Sequence, residues 1–466
     1  MNNEHRRYQI NYVRYPLILY NVNHSPTTER RVGVNNTYRN IKKLRIGFIS
    51  TRFAGTDGVS LETAKWAEVL EEMGHTCYYF AGICDRPASH SMVVPKAFYH
   101  HPEIEEHHQQ FWGETRRTEM DSKWIHQMRE YFKEKIYTFK NEFQIDLLIP
   151  ENVLSIPLNI PLGLAIAEFI AETNLPTIAH HHDFTWERKR FIVNSVWDYI
   201  TMAFPPTIWS IQHVVINSSA RHQLARRTGV GSTIIPNVMD YERKPPAVDA
   251  YSADLRQALG LDPDELFILQ PTRVVQRKGI EHSIELVSRL NRKARLVISH
   301  ASGDEGQEYE QRVRHYAKMM GVNALFISDL FDEKRRIKPN GEKIYSLWDA
   351  YPQADLITYP SLIEGFGNAF LEAIYFKRPI VVNNYTIFAI DIRTKGFNVI
   401  EFDNYITQDT VQKTIEVLDN PQRCMQMCEE NYRLACQHYS YSVLRTRLSN
   451  LISHFFGFGG GNGNQC

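Results

Sequence analysis

The second half of the chain alternates short apolar runs with helical or polar segments, and that alternation limits the fold more than any other feature. Phe267-Ile-Leu-Gln, Arg295-Leu-Val-Ile-Ser, Ala324-Leu-Phe-Ile, Asp355-Leu-Ile-Thr-Tyr, Ile380-Val-Val and Asn398-Val-Ile each precede such a segment. Alternating strand and helix patterns argue an α/β domain built on a parallel, doubly wound sheet. The first half opens the same way. Leu44-Arg-Ile-Gly-Phe-Ile-Ser50 reads as a strand, Thr51 to Ser60 as a glycine-bearing loop, and Trp66, Val69, Leu70 and Met73 mark a helix face. Gly74-His75 ends that helix and Thr76 to Phe80 is the next strand, completing a βαβ opening. At 466 residues the chain is long for one core and suits two domains.

The stretch Ser361-Leu-Ile-Glu-Gly-Phe-Gly-Asn-Ala-Phe-Leu-Glu372 follows an apolar strand and leads into a helix. Gly365 and Gly367 allow a sharp turn and close approach to a ligand. Asn368 is placed to cap a helix from Ala369, with Ala369, Phe370, Ala373 and Ile374 on its apolar face. Free N–H groups and the helix dipole there favour a phosphate or a sugar oxygen. Glu364 at the loop mouth and Glu372, read as first-turn, frame the site. An ionised carboxylate accepts paired hydroxyl donors from a vicinal diol.

Two further stretches carry chemistry. Pro271-Thr-Arg-Val-Val-Gln-Arg-Lys-Gly279 follows a strand, and Arg273 with Lys278 offers a fork of donors and a point charge suited to a pyrophosphate. Alone, that pattern is common on surfaces. Thr177-Ile-Ala-His-His-His-Asp-Phe-Thr-Trp-Glu-Arg-Lys-Arg190 ends a buried strand in three histidines, which need partners if buried. A tri-His metal site is the alternative, but consecutive strand residues alternate faces and all three cannot meet one ion. Arg188, Lys189 and Arg190 can hold an anionic acceptor or simply form an exposed basic helix start. Pro150 to Pro157 is a polar, Pro-rich loop at a strand end, where α/β folds put ligands. His107-His108 beside Glu105 and Glu106 reads as a solvated helix face.

Composition excludes several classes. Hydrophobic residues make up 43% and charged residues 23%, the balance of an ordinary soluble protein. Zero formal net charge gives no general attraction to nucleic acid or an anionic membrane. Six cysteines lack a disulfide pattern, and Cys424-x3-Cys428 has no matching His/Cys pair, so reduced thiols are expected. The first thirty residues contain no long apolar core, and no transmembrane run or signal peptide is read; a cytoplasmic enzyme is the expectation. Gly55-Thr-Asp-Gly58 does not supply a dehydrogenase fingerprint.

The Glu364-x7-Glu372 spacing resembles the Glu-x7-Glu element of family-4 retaining glycosyltransferases, which have the GT-B fold of two Rossmann-like domains facing a cleft. Thr233-Ile-Ile-Pro-Asn-Val-Met-Asp240 resembles the segment that closes their first domain. By that resemblance Glu364 contacts the donor sugar and Glu372 the ribose hydroxyls. Arg273 and Lys278 bind the diphosphate, with Gly365, Phe366, Gly367 and Asn368 at the donor, and Ile327 to Leu330 lies beside the base. Gly58 matches a donor-loop glycine, with Asp57 standing where the family has another glycine. His182 matches the histidine near the reacting centre, His181 being the fallback. The catalytic set is then His182, Glu364, Arg273 and Lys278, and the acceptor set Asp57, Asn152, His181, Asp183 and Arg188. The implied domains are an extension at 1–42, an acceptor-side domain at 43–240, a linker at 241–263, and a nucleotide-sugar domain at 264–435. A helix crossing back at 436–456 and a flexible tail at 457–466 complete the expectation. No metal and no cofactor is required, the nucleotide-diphosphate sugar being a co-substrate; partners are small molecules, with oligomeric state open.

Thr56-Asp-Gly-Val-Ser-Leu-Glu62, Pro150 to Pro157 and His180 to Arg188 together look like mannosylglucosylglycerate synthases. That narrower resemblance implies transfer of mannose from GDP-mannose to glucosylglycerate, a compatible-solute acceptor whose carboxylate Arg188 would meet. The alternatives are a UDP-glucose-dependent glucosyltransferase acting on another sugar or a lipid-linked acceptor, and a non-catalytic sugar-nucleotide binding module.

Overall fold

The structure, a computed structural model, describes residues 42–55, 57–300, 307–332 and 334–457. The expected extension before Lys42 and the tail after Gly457 lie outside the described residues. Lys42 begins one compact unit that carries both large sheets.

The first sheet has strands Arg45–Ile49 (β1), Thr76–Ala81 (β2), Ser91–Val93 (β3), Leu147–Pro150 (β4), Thr177–His181 (β5), Ile211–Val215 (β6) and Ser232–Ile234 (β7). Their order is β3-β2-β1-β4-β5-β6-β7, all parallel. The second sheet has Leu266–Gln270 (β8), Ala294–Ile298 (β9), Asn323–Phe326 (β10), Leu356–Tyr359 (β11), Ile380–Asn383 (β12) and Ile400–Phe402 (β13). Its order is β10-β9-β8-β11-β12-β13, again parallel. Strands buried on both faces explain their near-continuous Val, Ile, Leu and Phe content. In each sheet the order reverses beside the first strand, between β1 and β4 and between β8 and β11. Loops leaving the carboxyl ends of strands at such a reversal form a crevice, which is where doubly wound sheets take ligands.

Register places the crevice residues. β1 pairs with β4 through Ile46↔Leu147 to Ile49↔Pro150, so the loops after Ile49 and Pro150 leave side by side. Glu151 forms a bridge to His180 on the next strand. In the second sheet Ile268↔Leu356 aligns β8 with β11, which brings the loop 271–279 next to the loop 360–367. The sheets pack on separate helical layers: Phe132, Ile136, Phe139, Leu162 and Ile166 cover the first, and Ile280, Ile284, Val287 and Val313 cover one face of the second.

Three local features depart from the sequence expectation. His107 stacks on Trp124 at 3.9 Å, and His108 is buried with its Nε2 accepting from the Ile160 N–H at 3.3 Å. They join their helix to two others, Glu119–Phe143 and Ile160–Thr173, and form no solvated face; burial drives His108 down to about 3. Residues 241–263 include a helical turn, Leu255–Ala258, whose Leu255 enters the core beneath the second sheet. Between β10 and β11 the chain adds a small three-stranded sheet from Phe331–Asp332, Arg336–Ile337 and Lys343–Ser346. Tyr251 ties it down by donating to the carbonyls of Arg336 and Ile344.

The helix Tyr441–Phe456 lies against the first sheet's helix Gly58–Glu72 and strand β6. Tyr441 donates to Glu68 at 3.0 Å, Arg445 to Glu72 at 2.6 Å, and Gln212 to the Leu451 carbonyl at 3.3 Å.

Candidate active site

On the side of the second sheet, the loop after β8 and the loop after β11 meet as an ion pair. The Lys278 ammonium rests on the Glu364 carboxylate, with 11% and 10% of the two side chains exposed. Arg277, a neighbour of Lys278 with no distinguishing motif in the sequence, reaches the other carboxylate oxygen at 3.3 Å. Burial alone would raise Glu364, but the Lys278 and Arg277 charges outweigh it and hold the carboxyl below its usual range. Burial lowers Lys278, against the opposing pull of Glu364. Arg273 is exposed, and its charge and that of Lys278 are both felt by His300, which burial pushes down to about 4. Two cations, Lys278 and Arg277, therefore hold one carboxylate, with Arg273 and the neutral His300 adjoining Lys278. The positive excess is what a diphosphate needs.

The glycine loop is braced from behind. Gly367 has φ +125°, and a Cβ there would stand 2.6 Å from the Tyr385 hydroxyl and 3.1 Å from that of Tyr359. Only glycine fits that backbone in that space. Tyr385 donates to the Phe366 carbonyl at 2.6 Å, and Phe366 is buried. The helix runs Asn368–Tyr375 with Gly367 as its N-cap. Asn368 is thus the first helical residue and does not cap; its Oδ1 instead accepts from Asn237 at 2.7 Å. Glu372 sits beyond the first turn, accepting from the buried Tyr351 hydroxyl at 2.6 Å, and burial raises its carboxyl. Lys65, from the first sheet's helix, bears on Glu372 electrostatically and was likewise not foreseen.

Across the crevice lie the loops of the first sheet. Asn217 donates to the Gly365 carbonyl at 2.8 Å, and the Ser218 N–H donates to Asp391 at 2.7 Å. A Cβ on Gly365 would come within 3.7 Å of the His182 carbonyl oxygen, so the His182 segment faces the glycine loop directly.

The three histidines divide by face, as strand alternation demands. His180 and His182 share one side with ring centroids 4.4 Å apart. Both address one oxygen of Glu151, His180 Nδ1 at 2.9 Å and His182 Nε2 at 3.4 Å. His181 points the opposite way, is 1% exposed and bonds His213 ring to ring at 2.9 Å. This corrects its assignment as an acceptor residue: it is a core histidine, held neutral by burial. Burial, joined by His180, lowers His182, and burial raises the Glu151 carboxyl to about 7. Trp66 stacks on His180 at 4.1 Å and closes the cluster from below.

Two further residues of the expected acceptor set are engaged within the fold. Asp57 caps the helix Gly58–Glu72, accepting from Val59 N–H at 3.1 Å and Ser60 N–H at 3.2 Å, and pairs with Arg52 at 3.1 Å. An acid before Gly-Val-Ser is a legible cap signal. Asn152, at φ +57°, spends its Oδ1 on the His182 N–H and the Ser155 hydroxyl and its Nδ2 on Asp183 at 2.9 Å. Its side chain shapes the turn that carries His182. Asp183 in turn takes the Arg188 guanidinium, which is 45% exposed. Gly58 opens the helix with free space around its Cβ position. Near Ile327 and Leu330 opens a cavity of about 610 Å³, also lined by Asp254, Lys343 and Tyr345.

The comparisons with known proteins agree with this architecture. Residues 252–434 match the model of "Glycosyl transferases group 1". The chain is 30% identical to the mannosylglucosylglycerate synthase of Petrotoga mobilis over 436 residues, 89% of this chain and 98% of that protein. It is 29% identical to the mannosylglucosylglycerate synthase of Thermotoga maritima over 442 residues, 88% of this chain and all of the relative. The crystal structure of a glycosyltransferase from Rickettsia africae superposes with a TM-score of 0.62 at 12% identity, covering 89% of this chain and 99% of that one. Two parallel Rossmann-like sheets, a carboxylate and glycine loop at the second switch point, and full-length similarity of this kind lead to one conclusion: the chain belongs to the group 1 glycosyltransferases of the GT-B fold.

Proposed function

We propose that the chain is a retaining hexosyltransferase that moves mannose from GDP-mannose to glucosylglycerate. The observation that carries the reading is the opposition, across the crevice, of His182 to a glycine loop flanked by Lys278, Arg273 and Glu364. Two relatives matched over nearly their whole length are named mannosylglucosylglycerate synthases, which supports mannose as the transferred sugar and glucosylglycerate as the acceptor.

In this reading the diphosphate takes Arg273 and Lys278, and the Gly365 to Asn368 loop lies at the donor. Those charges stabilise the negative charge that develops as the bond from the anomeric carbon to the phosphate oxygen breaks. The acceptor hydroxyl forms its new bond to the anomeric carbon on the same face, and its proton passes to the departing phosphate. Glu364 accepts from hydroxyls of the transferred sugar, Glu372 from the ribose, and the base lies against Ile327 to Leu330. Arg188 takes the acceptor carboxylate, exchanging Asp183 for it. Cationic side chains do the work of a metal at the leaving group. Contacts such as Asn217 to Gly365 support a closed crevice, from which excluded water would otherwise hydrolyse the donor.

The test is turnover of GDP-mannose and UDP-glucose with glucosylglycerate and with glucose, read by released nucleotide and by the anomeric configuration of the product. Melting shifts with each nucleotide and with NAD, in wild type and Arg273→Ala, run alongside. An α-linked mannoside from GDP-mannose is expected. Turnover of UDP-glucose alone would replace the donor, and a melting shift with NAD alone would sink the reading.

A further inference from the structure

Glu151 is fully buried at the end of β4, and nothing in the transfer chemistry above uses it. Its Oε2 receives the imidazoles of His180, in β5, and His182, just beyond it, while its Oε1 makes no hydrogen bond among the described residues, although the Thr63 side chain also bears on the carboxyl. Buried polar groups are ordinarily satisfied, and a buried carboxylate with one oxygen spent on two rings is a costly arrangement to keep for packing alone. Of the two rings, His180 is enclosed between Glu151 and Trp66, while His182 is 11% exposed and stands opposite the Gly365 loop. The chain of contact runs from a sealed acid to the ring nearest the crevice.

Two ring protons can satisfy one carboxylate oxygen: Nδ1–H of His180 and Nε2–H of His182. That leaves each remaining nitrogen a bare lone pair. For His180 this is the cheaper orphan, because its Nε2 is buried without a partner. For His182 it leaves Nδ1 as an acceptor. We propose that Glu151 is a positioning residue: by taking the Nε2 proton of His182 it fixes that ring's tautomer, so that Nδ1 accepts a hydroxyl of the bound sugar. The proposal rests on the transferase reading for what the ring meets, but not for how the ring is held.

Three ligand-type atoms of Glu151, His180 and His182 also lie within 4.8 Å of one another, a spacing that a divalent cation can bridge. The donor set favours protons. A metal-bound imidazole gives its other N–H to an oxygen, and the other nitrogen of His180 has none. The charged groups facing the cluster are Glu62 from the helix Gly58–Glu72 and Asp183 from the following turn. Glu62 is itself engaged by Lys65 at 2.9 Å and by the Val238 N–H at 3.0 Å. Burial brings the Glu151 carboxyl to about 7, so its ionised form, the one that accepts both protons, gives way near neutral pH.

The experiment pairs kinetics with ring 15N spectra of the full-length protein labelled in histidine. Wild type is expected to show His182 as the Nε2–H tautomer, and Glu151→Gln to show a mixture. Glu151→Gln should lower kcat about 10- to 100-fold, the usual cost of losing an orienting partner, with donor KM within about twofold, and should flatten the rise of kcat through neutrality. In a His182→Ala background the same change should cost nothing more, since its effect passes through that ring. An equal loss in both backgrounds, an unchanged tautomer in Glu151→Gln, or one equivalent of metal whose removal alters the ring spectra would overturn the proposal. If Glu151→Gln does not fold, the wild-type spectra from about pH 5 to pH 9 decide: an Nδ1–H tautomer throughout would refute it. Absence of turnover with any sugar nucleotide would remove the transferase reading, and the spectra would still judge Glu151.

Discussion

Lys278 and Glu364 form a nearly buried ion pair between the loops after β8 and β11, so the cation proposed for the phosphate and the acid proposed for the sugar are already joined. Removing one partner strands the other. Lys278→Ala should therefore cost about 3–5 kcal/mol in denaturant unfolding. Lys278→Met with Glu364→Leu should recover most of that stability while turnover stays lost. Equal stability of Lys278→Ala and wild type would mean the pair is solvated.

The same pair sets an acid limit. Glu364 is held below the range of a free carboxyl, whose ordinary value is 4.5. A depressed carboxyl contributes its full stability above the unfolded value and loses it as pH falls through the folded value. The gap in melting temperature between wild type and Glu364→Gln should be widest above about pH 5 and close as the solution is acidified. A gap that widens in acid would mean that the fold raises the Glu364 carboxyl instead of lowering it.

Gly367→Ala combines a left-handed backbone with overlap on the Tyr385 and Tyr359 hydroxyls. Strain of this kind costs on the order of 1–3 kcal/mol, and relief requires the loop to move. Donor affinity, measured by calorimetry, should fall more than the melting temperature does. A variant that binds donor normally would show that the loop backbone is not used.

Asn237→Ala removes the hydrogen bond to Asn368 that links the two sheets' loops. About 1 kcal/mol is expected from a bond of this type, which is about fivefold in donor dissociation constant. The measurement is equilibrium titration with nucleotide sugar, and Asn237→Asp is the control that keeps shape.

Tyr351→Phe leaves the Glu372 carboxyl without its hydroxyl donor. The buried acid should then be harder to ionise, and donor KM should rise several-fold at neutral pH and less at pH 8. A pH-independent effect would point to packing alone.

What could be read from the chain was local. Gly365, Gly367 and Glu364 stand within a few residues of one another, and their strand–loop–helix setting follows from adjacent apolar runs. Parallel sheets were legible because a strand buried on both faces has a continuous apolar run. The partners of those residues were not. Glu151 meets His180 and His182 only through the register of β4 on β5, and Asn237 meets Asn368 across 131 positions. His181 was legible as facing away from its two neighbours, yet its His213 partner lies on β6. Asn368 shows the limit of a cap signal: the glycine before it takes the cap, and the amide is free to cross the crevice.

The helix Tyr441–Phe456 covers a sheet whose last strand, β7, ends at Ile234. A ribosome makes this cover only after the entire second sheet has been synthesised. Domains generally fold as units, amino-terminal first, yet here the earlier unit is complete only once residues 441–456 are in place. The glycosyltransferase therefore matures as a loop closing on its own beginning. Nicking the chain between Asp419 and Pro421 should weaken the first-sheet half, read as a drop in its melting temperature, although the cut lies in the other one.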